Sequence, residues 1–272
     1  MSRAFLPEAL AGPAPLRVLS PADLRHLNQI RACSYLHLFD VFERALDDVA
    51  RDRARLDIDT REVLAPLLQL DCFDHHELLF SFESRLAVAF PVRPHLVTGV
   101  PDLGRALAQA SPLSLLVLAL HLKLVTQQHY LACVRGDEIL EPHFVRLLKE
   151  HWGVECGATR ASNTALAIQE ALAKALPGRI PSALRDYRLL VFACDDVLRA
   201  QAELDVVTLE EARRQALGPA DRSIVVASQL AAHRKTFLTV GIVNAAFVYA
   251  MRSLGPTAPS MLAGVVSALA AR

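Results

Sequence analysis

The segment Leu115-Leu116-Val117-Leu118-Ala119-Leu120-His121-Leu122-Lys123-Leu124-Val125 constrains the fold more than any other part of the chain. It is far too long to be a strand, so it reads as a helix. His121 and Lys123 break the apolar run from Leu113 well short of the roughly 20 residues that cross a bilayer. A buried central helix is the reading that remains, and no membrane span is expected. A lysine inside such a helix must find a partner or be neutralised, because an unpaired buried charge is very costly.

The rest of the chain repeats the helical pattern, with Pro and Gly confined mainly to the joints. Residues 1–19, which hold Pro7, Gly12, Pro13 and Pro15, read as an extended arm preceding a helical domain over 20–272. Ser20-Pro21-Ala22-Asp23 supplies an N-cap, a first-turn proline and a first-turn acid, starting a helix that should run to about Arg53. Asp59-Thr60-Arg61-Glu62 resembles a capping box and opens a second helix to about Phe90, with Pro66 implying a kink or a later start. Pro91, Pro94 and Pro101 make 91–104 a crossover. Ser111-Pro112 opens a third helix ending near Gly136, and Glu141-Pro142 a fourth that Pro177-Gly178 stops.

A fifth helix is expected from Pro181 to about Asp205. Thr208-Leu209-Glu210-Glu211 reads as a capping box for a short helix ending at Gly218. Asp221 to Leu254 reads as one long helix closed by Gly255-Pro256, with a short terminal helix from Ala258. No strand-like alternation appears. The expected class is all-α: four long helices in two hairpins joined by one long crossover, with additional C-terminal helices.

Composition excludes several functions. With 53% hydrophobic residues, the 272-residue chain can fill a sizeable core. Lys plus Arg and Asp plus Glu number 29 each, so no global field draws the chain to nucleic acid or acidic lipid. There is no GxxxxGK[ST] or GxGxxG phosphate loop. Five scattered cysteines and the lack of a signal peptide point to a reduced cytoplasm.

The polar residues that interrupt apolar stripes are the candidate site. Leu36, Phe39, Glu43, Leu46 and Ala50 recur at spacings of 3 and 4, which turns Glu43 inward on the first helix. Phe73, His76 and Phe80 share a face of the second helix. Leu116, Leu120 and Lys123 share one on the third, continuing to Gln127 and Tyr130. Leu148, His151, Glu155, Ala158 and Ser162 align on the fourth.

This layout resembles the ferritin-like di-iron oxidases and oxygenases. In that superfamily the first and third helices each give a Glu, and the second and fourth each give Glu-x-x-His. The resemblance spans roughly residues 20–250 and is supported by the words Leu27-Asn28-Gln29-Ile30-Arg31, Ser34-Tyr35-Leu36-His37-Leu38-Phe39, Thr126-Gln127-Gln128-His129-Tyr130 and His151-Trp152. It places Glu43 at the first ligand, Phe73 and His76 at the second pair, Lys123 at the third ligand, and Glu155 and Ala158 at the fourth pair. The separations are 33 residues from Glu43 to His76 and 35 from Lys123 to Ala158, as two similar hairpins would give. Only Glu43, His76 and Glu155 are of a type that can bind metal.

Three readings follow. In the first, the di-iron site is lost, no cofactor is required, and Glu43, Lys123 and Glu155 form a pocket with Phe73, His76, Tyr130 and Ala158. That pocket would serve a metal-independent enzyme or a binding protein for a small organic molecule, with a glutamate as base and Lys123 as acid or anion stabiliser. In the second, iron or manganese is held by unfamiliar ligands, Glu43, His76 and Glu155, or the donor-rich run Asp71, Cys72, Asp74, His75, His76 and Glu77 is completed by Glu43, Glu155 or Cys156, with zinc a further candidate. In the third, Lys123 snorkels to a helix end, Glu43 pairs with Arg31, Arg44 or Arg85, and the chain is a helical interaction module. A homodimer is compatible with all three.

Among residues taken singly, Asp195 or Asp196 is expected to face inward from the fifth helix, with a surface place favoured for Asp195. His121 and His129 point away from Lys123 and should make core or surface hydrogen bonds. Asn244 is an isolated amide expected to cap or crosslink helices.

Overall fold

A computed structural model of the chain describes residues 3–6, 16–68, 80, 81, 84, 92–131, 139–156, 164–174 and 177–272, with the side chains of 151–156, 164 and 177 outside that description. The described secondary structure is helical throughout. The helices are α1 (Pro21–Leu56), α2 (Ile58–Leu68), α3 (Pro101–Gln109), α4 (Pro112–His129), α5 (Pro142–Cys156), α6 (Thr164–Ala173), α7 (Ile180–Arg213), α8 (Pro219–Arg234), the single turn α9 (Val240–Val243), α10 (Ala245–Leu254) and α11 (Ala258–Ala270). A 3₁₀ turn, Pro177–Arg179, precedes α7, and a π-helical segment, Lys235–Thr239, joins α8 to α9.

Several helix starts follow from local chemistry. Ser20 caps α1 reciprocally: its hydroxyl oxygen accepts from the Asp23 N–H, and Asp23 accepts from the Ser20 N–H. Ser111 caps α4 by accepting from the Ser114 N–H, with Pro112 in the first turn. Every side chain from Leu113 to Thr126 is buried, so α4 is the axis of the molecule. It packs against α1, α2, α5, α6, α7, α9 and α10. The stripe Leu36, Phe39, Glu43, Leu46 and Ala50 of α1 is buried throughout.

Three expectations are corrected. The proposed crossover ends early, because Pro101 is the first-turn proline of α3 and Asp102 its first-turn acid. Leu103 and Leu107 bury that helix. The extended run 92–100 before it is held by side chains of α7. Gln201 acts as a stand-in strand, its Oε1 accepting from the Val97 N–H at 2.8 Å and its Nε2 donating to the His95 carbonyl at 3.0 Å.

Secondly, Thr208 starts no new helix. It lies inside α7, donating to the Leu204 carbonyl at 3.0 Å and accepting from the His95 N–H at 2.9 Å. Val206 and Leu209 are fully buried, and their packing carries α7 through to Arg213. Thirdly, 221–254 is not one helix. The π segment interrupts it, and Asn244 (φ −58°, ψ 130°) breaks it, its side chain accepting from the Ala246 and Phe247 N–H groups to cap α10.

The first residues are also less separate than an arm implies. Phe5 and Leu6 are buried in the main core. Asn28 accepts from both of their N–H groups and donates to the Leu6 carbonyl at 2.8 Å. Among the described residues, no single helix is long and apolar enough to cross a membrane. Pro219–Val243 and Ala245–Leu254 meet that requirement of length and composition only as a pair, bent by 52°.

Candidate functional site

Glu43 of α1 and Lys123 of α4 meet in the core. The Lys123 ammonium donates to Glu43 Oε1 at 2.9 Å, and each side chain is 5% exposed. The snorkelling lysine of the third reading is therefore overturned. So are two of the arginine partners suggested for Glu43: Arg31 donates to Gln229 Oε1 at 2.7 Å and Arg44 to Asp40 at 2.8 Å. Arg85 lies outside the described residues. The reason is geometric, since Arg31 is three full helical turns from Glu43 and turns towards α8.

Beside the pair is a cavity of about 20 Å³, lined by Glu43, Leu46, Asp47, Leu67, Ala119, Leu122 and Lys123. That is room for about one water molecule. Asp47 went unnoticed in the sequence although it stands one helical turn beyond Glu43. Its Oδ2 accepts from Arg51 at 2.7 Å, whereas its buried Oδ1 has no hydrogen-bond partner among the described residues. The signal that could have found it was the i, i+4 spacing of two acids on an inward face.

Tyr130, just past the end of α4, is buried. Phe73, His76 and Ala158 lie outside the described residues, as do Asp71, Cys72, Asp74, His75 and Glu77. Glu155 is on α5, with its side chain beyond description. Two of the expected site residues are thus brought together, Glu43 and Lys123. Among the described residues, no group of three His, Cys, Asp or Glu is placed to hold a metal ion.

The histidines beside Lys123 are core residues. Both are fully buried. His121 Nε2 faces the Phe237 carbonyl at 2.9 Å and Nδ1 faces the Tyr187 hydroxyl at 2.7 Å. A carbonyl only accepts, so Nε2 carries the proton and the Tyr187 O–H donates to Nδ1. Burial pushes His121 down to about 4, against the raising effect of the Phe237 and Leu238 backbone. His129 Nδ1 lies 3.0 Å from the Tyr35 hydroxyl, and its buried Nε2 makes no hydrogen bond of normal geometry. Burial lowers it to about 3, opposed by the Thr236 backbone. The π segment thus lines both rings, and its Phe237 side chain packs on Tyr35, Phe39 and Phe42.

A second polar centre joins α1, α7 and α8, and nothing in the sequence announced it. Asp205 is fully buried and accepts from four side chains: Ser34, Gln201 at 2.8 Å, Gln229 at 2.9 Å and His233 at 2.8 Å. Arg31 completes the set through Gln229. Burial lowers its guanidinium to about 10, and the Asp205 charge partly restores it. All these donors are committed to one another or to Asp205, so the cluster fastens three helices together.

Asp195, expected nearer the surface, is fully buried. Arg234 binds it in bidentate fashion, Nε to Oδ1 at 2.6 Å and Nη2 to Oδ2 at 2.8 Å. Its neighbour Asp196 takes the outward position, paired with Arg272 at 2.7 Å. Buried Cys194, next to Asp195, has its thiol pushed up to about 12, chiefly by burial, so it is no nucleophile.

No family model, curated protein or solved structure matches this chain.

Proposed function

We propose that the protein is a ferritin-like bundle in which an ion pair stands where di-iron relatives hold metal, and that it works without metal on a small organic molecule. The observation that carries this reading is the Lys123 ammonium buried 2.9 Å from Glu43. The position that the family pattern gives to a bridging carboxylate holds a cation instead. An ammonium about 4 Å from a second unit charge of the same sign is opposed by about 4 kcal/mol at an effective dielectric of about 20, and a divalent ion doubles that. A metal at Glu43 would therefore have to displace or deprotonate Lys123.

In this reading Glu43 is the base and Lys123 the stabiliser of a developing anion, with Glu155 the second carboxylate by its place in the pattern. The cavity beside the pair admits about a water molecule. An organic molecule would thus reach the pair from the side of the second and fourth helices of the pattern, where Phe73, His76 and Ala158 belong.

The test is metal analysis of protein purified from cells grown with added iron and manganese. The expected result is far less than one metal per chain in the natural protein, with uptake rising in Lys123→Glu. Near-stoichiometric metal in the natural protein that disappears on replacing His76 would overturn the reading and favour a metal-dependent oxidase.

A further inference from the structure

A cavity of about 900 Å³ opens at one end of the bundle, between α2 and α6 and beside the start of α4. Its volume falls in the range of small-molecule sites, roughly 300–1,000 Å³. It lies apart from Lys123 and does not depend on whether a metal was lost there.

This cleft is lined by charges of both signs. Asp59 and Glu62 come from α2, Lys174 follows α6, and Arg179 belongs to the 3₁₀ turn. None of these four makes an ion pair or a side-chain hydrogen bond among the described residues. Glu170, one turn before Lys174 at a spacing suited to pairing, does not pair with it either. The other polar liners are occupied. Arg53 donates to the Ala110 carbonyl, Asp57 accepts from the Thr60 N–H at 2.9 Å, and Ser182 donates to the Arg179 carbonyl at 2.9 Å. The same cleft is lined by the apolar side chains of Pro66, Leu113 and Ala171.

Opposite charges that line one cleft without pairing with each other, beside an apolar lining, match a ligand that carries both signs. A simple anion would meet Asp59, Glu62 and Glu170, and a simple cation would meet Lys174 and Arg179. We propose that the cleft binds a small amino-carboxylate. Its ammonium group lies towards Asp59 and Glu62, its carboxylate towards Lys174 and Arg179, and its aliphatic body against Pro66, Leu113 and Ala171.

Isothermal titration of the full chain with ε-aminocaproate, hexylamine and caproate tests this, with γ-aminobutyrate as a shorter amino acid. One of the two amino acids should bind about tenfold more tightly than the matched amine or acid, the value of one added charged contact. That advantage should shrink at high salt. Lys174→Met should erase the advantage over hexylamine, and Glu62→Gln the advantage over caproate. Both side chains are exposed, so neither change threatens the fold. The paired change Glu43→Leu with Lys123→Met should leave binding unchanged, which separates this result from the metal question. The proposal fails if neither amino acid gives heat, if all the probes bind alike, or if the two cleft variants leave the affinities unchanged.

Discussion

A methyl group on Gly241 would stand 1.9 Å from Cδ2 of His121 and 2.0 Å from its Nε2. The imidazole cannot step aside, because Tyr187 and the Phe237 carbonyl hold its two nitrogens. Val125 Cγ2, 2.7 Å from the same point, closes the other direction. Gly241→Ala should therefore destabilise the protein by about 1–3 kcal/mol or more through overpacking. Gly264, on an open face of α11, has nothing within 4 Å of such a methyl. Gly264→Ala should instead stabilise by up to about 1 kcal/mol through helix propensity. Urea unfolding midpoints for the two variants should move in opposite directions.

Two of the buried histidines, His121 and His129, set an acid limit. Each has its folded-state value depressed, His121 to about 4 and His129 to about 3, while the unfolded chain titrates near 6.5. Below 6.5 the unfolded state takes up protons that the folded state refuses. Stability is therefore complete above about pH 6.5 and falls as the pH drops towards 4, by on the order of 3 kcal/mol for each ring. Unfolding free energies measured between pH 7 and 4 should show this decline. His129→Leu should flatten it, and an unchanged slope in that variant would remove His129 from the account.

Gln201 makes a local prediction. Its amide supplies the extended run at His95–Val97 with one donor and one acceptor, and it also reaches Asp205 and Ser34. Gln201→Leu removes the partners of the Val97 N–H and the His95 carbonyl, at a cost of about 1–3 kcal/mol. Hydrogen exchange should quicken at the Val97 amide, while amides in the middle of α4 should keep their protection.

What the sequence revealed and what it hid divide along the range of the interactions. Ser20 and Ser111 were legible as caps because the partners of each lie within three residues. The buried nature of α4 was legible because no polar side chain interrupts it between Ser114 and His121. Thr208 misled because its neighbours imitate a capping box, while its actual partner, the His95 N–H, is 113 residues away. Asp205 was invisible for the same reason: Ser34 is 171 residues distant, and the nearer Gln229 and His233 are on another helix. Pro101 was read as one more loop proline among three, although its role as a first-turn residue was open to view. At the site, the 3-and-4 spacing turned Glu43 inward and the apolar run made Lys123 need a partner. That the two need each other was a question of register between helices, which only the fold supplies.

The Lys123–Glu43 pair is best judged by a double-mutant cycle. Lys123→Met takes the ammonium away from the buried Glu43 carboxylate and should cost about 3–5 kcal/mol. Glu43→Leu takes the carboxylate away from the ammonium, but Asp47 lines the same cavity and can take up part of the lost interaction, so its cost should be the smaller of the two. The double variant removes both charges and leaves an apolar contact between α1 and α4. It should be far more stable than the sum of the singles implies, within about 1–2 kcal/mol of the natural protein. Urea denaturation of the four proteins measures the coupling. Single-variant costs below about 1 kcal/mol would match a solvated surface pair, and would rule out the buried centre on which the proposed function rests.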